Sequence, residues 1–153
     1  MNKGLNSGIS GPNNGPRLHA TRTAVVSLTT STFTDIVMDG ISQDNGGMSQ
    51  LVKSTGDVLI TKDGMYKIMT QAGFAANGTG IRISGVLITY ASGITEQFAD
   101  SSGPASAAAV TGVPANGSIY LHKGDRVKLR QWQNSGGALN TSGSYINVSW
   151  IGP

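Results

Sequence analysis

Ser118–Gln133 reads SIYLHKGDRVKLRQWQ. Ile119 and Leu121 precede the pair Gly124-Asp125, Val127 and Leu129 follow it, and polar or charged residues hold most positions between. Alternation with a period of two puts successive apolar side chains on one face of an extended strand. Gly frees the backbone for a tight turn, and Asp bonds to its own backbone there. The stretch therefore predicts two half-buried strands joined as a β-hairpin.

Working outward, the same period recurs. Ala24–Leu28 and Phe33–Met38 read as two strands, Gly40–Ser54 as a loop around Asn45-Gly46-Gly47, and Asp57–Thr61 as a short strand. After the turn Lys62-Asp63-Gly64, a strand carries Tyr66, Ile68, Ala72 and Phe74 on one face. Ile81–Tyr90 is the next, with Gly85 marking a bulge or a close approach. Ile94–Phe98 is a short strand, Ala99–Gly103 a loop, and Ala105–Val113 a strand of small residues confined by Pro104 and Pro114. Beyond the loop Asn134–Gly143, Tyr145–Ile151 places Ile146, Val148 and Trp150 on one face. About eight to ten short strands with no helical pattern predict an all-β sandwich or barrel.

Composition agrees. Among 153 residues, charged side chains make up only 12%, about half the usual share, while Gly reaches 22 residues. Solubility then rests on Ser, Thr, Asn and Gln. The absence of Cys excludes disulfides and thiolate metal sites. No apolar run is long enough to span a bilayer, so no membrane insertion is expected. A net charge of +3 is too mild for a nucleic-acid binder. Residues 1–20, rich in Gly, Asn, Ser and Pro over most of their length, read either as a disordered tail or as an extended arm ordered by another chain. The folded domain then runs over 21–153.

Three segments, in order, resemble the complement-one-q globular head and tumour-necrosis-factor superfamily. Gly56–Phe74 resembles its strand–turn–Gly-x-Tyr–strand signature, Ile119–Gln131 its Leu-x-x-Gly-Asp-x-Val hairpin, and Ser144–Gly152 its closing strand. The resemblance implies a jelly-roll β-sandwich of about ten strands. It also implies a homotrimer packed through apolar sheet faces. The shared period-two faces of three strands assign Tyr66, Ile68, Phe74, Val127, Leu129, Ile146, Val148 and Trp150 to core and trimer packing.

No catalytic constellation can be assembled. His19 and His122 are far apart and lack a carboxylate at ligand spacing, and Asp35, Asp39, Asp44, Asp57 and Asp63 are scattered without an EF-hand pattern. No Ser lies in Gly-x-Ser-x-Gly. No enzyme activity and no cofactor are expected. Two candidate surfaces remain. Arg126, Lys128, Arg130 and Trp132 form a stripe that reads either as a solvated outer face or as a grip for an acidic protein or a glycan. Lys3, Leu5, Ile9, Arg17, His19 and Arg22 would belong to an anchoring arm. The expected role is a structural or adhesion protein of a virus particle, such as a phage capsid decoration, head fibre or tail-tip module. It would be assembled in the host cytoplasm and displayed on the virion. Its partners would be capsid or tail proteins held through the arm, with a host-surface glycan or protein beyond them. The alternative is a secreted or cell-surface ligand- or glycan-binding module of the same fold.

Overall fold

The computed structural model describes residues 16–153. These contain thirteen strands and no helix, numbered in chain order. They are β1 (Arg17–Arg22), β2 (Ser27–Leu28), β3 (Thr34–Ile36), β4 (Gly40–Asn45), β5 (Ser49–Val52), β6 (Asp57–Ile60) and β7 (Gly64–Phe74). Then follow β8 (Asn77–Thr89), β9 (Thr95–Ser106), β10 (Thr111–Leu121), β11 (Arg126–Gln133), β12 (Leu139–Asn140) and β13 (Ser144–Gly152). A five-stranded sheet in the order β10-β7-β13-β1-β4 packs on a sheet ordered β5-β6-β11-β8-β9, with β3 continuing the edge of β11 beyond β6. Among the described residues every ladder is antiparallel, and β2 and β12 form a small separate pair. This is an all-β jelly-roll sandwich.

Period-two patterning builds the core between the sheets. Leu18, Tyr66, Ile68, Phe74, Ile146 and Val148 point in from one sheet, and Ile36, Val58, Val86, Ile88, Val127 and Leu129 from the other, all at most 1% exposed. Fully burying such side chains is worth roughly 1.5–3 kcal/mol each before conformational entropy is charged against it. Trp150 differs from its expectation. It is only partly buried, because β13 bulges at Trp150/Gly152 and the indole sits at the rim, with Lys62 Nζ 4.9 Å from its centroid.

The central stretch folds differently from a hairpin. β10 pairs with β7 in one sheet, whereas β11 pairs with β8, β6 and β3 in the other. Gly124-Asp125 is thus a crossover between layers. Asp125 N–H donates to His122 O at 3.0 Å, and Gly124 has φ 99°, as the third residue of such a turn requires. The buried Asp125 carboxylate accepts the amides of His122 (2.8 Å) and Ala91 (2.9 Å). Backbone bonds also tie Gly124 and Asp125 to Ile60. Alternation shows that both strands face one core, but not that they face it from the same side.

Other boundaries shift where strands lie at edges or carry few apolar residues. Arg17–Arg22, read partly as arm, forms β1 between β13 and β4, while Ala24–Val26 lies outside any strand. Gly40–Ser54 is two strands, β4 and β5, around a turn at Gly46-Gly47 where both glycines have positive φ. Ala99–Gly103 continues β9, and the Ala-rich segment 107–110 makes the turn into β10. β9 is an edge strand, which is where Pro104, with no N–H to donate, is tolerated. Register shifts between Val86 and Leu87, one residue beyond Gly85.

Candidate interaction surfaces

β11 alternates without interruption: Val127, Leu129, Gln131 and Gln133 point inward, and Arg126, Lys128, Arg130 and Trp132 face out. The four form one outward row, and its cations are engaged. Arg126 Nη1 donates to Asp57 Oδ2 at 3.2 Å, and Lys128 Nζ lies 2.9 Å from Asp57 Oδ1 and 3.7 Å from Asp35 Oδ2. Arg130 Nε donates to Asp35 Oδ1 at 2.8 Å and its Nη1 to Gln97 Oε1 at 3.3 Å. Gln97 in turn donates to Asp100 at 2.6 Å. Phe33 completes the row, with the Arg130 guanidinium 5.1 Å from its centroid and the Trp132 ring 6.5 Å away. Asp57, whose side chain is 9% exposed, holds two cations at once. The sequence marks the cations but not their partners.

The outer face of the five-stranded sheet has other chemistry. Strand register sets Asn116, Met69, Asn147, His19 and Gln43 in one row across all five strands. The flanking rows run Ser118–Lys67–Ser149–Arg17 and Pro114–Gln71–Tyr145–Thr21. His19 stacks on Tyr145 with centroids 5.0 Å apart, and Ser149 Oγ donates to Asn147 Oδ1 at 3.1 Å. Partial burial, with Arg17 adding, holds the His19 imidazole below its ordinary pKa. Among the described residues, five large apolar side chains in strands stand exposed, and four of them (Ile41, Met69, Tyr120 and Ile151) belong to this sheet.

Of the residues assigned to an arm, Arg17, His19 and Arg22 lie on β1, and Lys3, Leu5 and Ile9 lie outside the described residues. Arg22 Nε donates to Ala24 O at 2.9 Å, and its Nη1 sits 3.5 Å from Asp39. Asp39 titrates below its ordinary range, chiefly because it accepts the Ala24 amide, with the Thr23 amide and Arg22 adding to this. The seven fully buried packing residues, from Tyr66 to Val148, are spent on the core of one chain. The alternate positions on these strands are the ones that face out of the sandwich. Tyr66 also closes the rim: its hydroxyl lies 2.6 Å from Lys62 O and 2.8 Å from Met48 O, and burial, with Asp63, pushes its pKa up to about 12. His122 Nδ1 is 3.7 Å from Asp63 at an exposed edge. Among the described residues, no three His, Asp or Glu side chains gather as a metal site would need.

No protein-family model matches the sequence, and no curated protein matches it either. Solved structures do match the fold. Murine APRIL at pH 5.0 superposes with TM-score 0.68 at 14% identity, over 90% of this chain and 99% of that one. Eiger TNF from S. frugiperda gives 0.67 at 15%, over 89% and 93%. The globular domain of zebrafish complement 1qA protein gives 0.61 at 16%, over 89% and 97%. The chain therefore has the tumour-necrosis-factor-like jelly-roll fold. At these identities the likeness carries the fold alone.

Proposed function

We propose that the chain is a homotrimeric, non-enzymatic structural and adhesion module displayed on a virus particle. The observation that carries the assembly is the outer face of the five-stranded sheet. Its central row is uncharged amide and thioether apart from His19, and Met69, Tyr120 and Ile151 stand exposed there. Such a face can lose its water cheaply if a second copy covers it, because few charges must be desolvated. The opposite face, with its paired ions, stays in solvent.

Display on a virion is supported by context rather than by a site. The chain has no Cys, few charges and abundant Gly, a composition that holds its fold without redox chemistry. Residues 1–15 serve as the attachment segment, with Lys3, Leu5 and Ile9 meeting a capsid or tail protein. Sedimentation of the purified chain should give three times 15.7 kDa, and a monomer at micromolar concentration would remove the assembly. Imaging of purified particles, with density for this fold at a threefold position, tests the location. Particles that load a variant lacking residues 2–15 as well as the full chain would place the anchor on the sandwich instead.

A further inference from the structure

The inner face of β8 runs Arg82, Ser84, Val86 and Ile88, and the first of these is a cation inside the sandwich. Arg82 is 0% exposed. Its Nη1 donates to Ile81 O and its Nη2 to Asn77 O, each at 3.1 Å. Its Nε has no hydrogen-bond partner, and among the described residues no carboxylate forms an ion pair with it. Two backbone carbonyls supply partial charge, not a counter-charge. A guanidinium does not shed its proton to escape burial, so an uncompensated one is costly in a core.

The surroundings are polar and incompletely paired. Register sets Arg82 between Gln133 on β11 and Gly103 on β9. A Cβ on Gly103 would touch Val113 of β10, two residues from Thr111, which has the same inward parity. Thr111 Oγ1 is likewise buried without a partner. Gln133 is already committed, through Nε2 to Leu28 O and Gly137 O and through Oε1 to Ser135. Two donors, one of them charged, are therefore left over at one end of the core, on facing strands.

We propose that Arg82 is the seat of an internal anion site that takes a small monovalent anion of the chloride class, held by Arg82 Nε–H and aided by the Thr111 hydroxyl. A carboxylate from another chain cannot serve, because no part of the Arg82 side chain reaches the surface. A halide-sized ion needs no covalent tether and can be enclosed as the strands close.

Thermal unfolding at fixed ionic strength, in sodium chloride against sodium gluconate, tests the site. The full-length chain should unfold higher in chloride, by about 2–5 °C for each tenfold rise above the dissociation constant. Arg82→Met should abolish the difference. Crystals grown in bromide give a readout that does not depend on that variant folding: an anomalous peak is expected within about 3.5 Å of Arg82 Nε. An ordered water there with no anomalous signal, or equal unfolding in chloride and gluconate, would overturn the proposal.

Discussion

On β11 the outward side chains are Arg126, Lys128, Arg130 and Trp132, and across the core on β13 the outward positions hold Tyr145, Asn147 and Ser149. Both rows lie within a sheet and alternate with buried apolar residues. One row is a lattice of ions in which three cations share Asp57 and Asp35. The other is a surface of amides, hydroxyls and rings with exposed apolar neighbours. Ions already satisfied by one another lose more than they gain when water is removed, whereas amides can trade water for a second protein surface. The sandwich is thereby sided: one outer face is ionic and paired within itself, the other is rich in amides with exposed apolar side chains beside them.

The strongest way to break that contrast is to exchange the chemistry. Asn147→Asp puts a carboxylate in the central row of the five-stranded face. Burying it unpaired costs about 3–5 kcal/mol, so self-association should weaken by at least roughly 100-fold and sedimentation should show monomer. The matching change on the other face, Ile83→Asp, should leave the mass unchanged. If both variants stay trimeric, the five-stranded face is not the contact.

Next in size is Asp57→Ala. It leaves Arg126 without its carboxylate and Lys128 with Asp35 alone, and denaturant unfolding should report a loss of about 1–3 kcal/mol with the oligomer mass intact. A smaller effect belongs to His19. Its folded pKa is below the ordinary 6.5, so the unfolded chain binds more protons between the folded value and 6.5. Stability is therefore fully present above 6.5 and falls as pH drops through the folded value. Unfolding midpoints measured from about pH 7.5 to about pH 5 should decline, and His19→Gln should remove that part of the slope. The smallest expected effect is that of Arg130→Ala. Its pair with the 39%-exposed Asp35 is screened by water, and thermal unfolding should move by about 0–1 kcal/mol.

Much of the core was legible because apolar side chains alternate so strictly. Tyr66, Ile68, Ala72 and Phe74 need no tertiary information to be placed on one buried face. Edge strands escaped that logic: β4, GISQDN, holds one large apolar residue, and β9 holds mostly small and polar ones. The stripe on β11 could be read, but not its neutralisation, because Asp57 and Asp35 sit 69 and 95 residues before the arginines they meet. Arg82 was open to the same parity argument that buries Val86 and Ile88. A charged residue at an inward position is a signal that composition and motif searches pass over.

The slot between β7 and β1 is filled by β13, so the middle of the five-stranded sheet is also the strand latest in the sequence. About 120 residues separate Arg22 from Ser144, and at roughly 5–20 residues per second the ribosome takes on the order of ten seconds to supply them. Throughout that interval β1 has no neighbour on one side, and Leu18 and Ala20 face an unfinished core. Nascent chains of this protein are accordingly committed to fold after Gly152 has been delivered. A stop codon placed before β13 leaves two open sheet edges instead of a slightly shorter jelly roll.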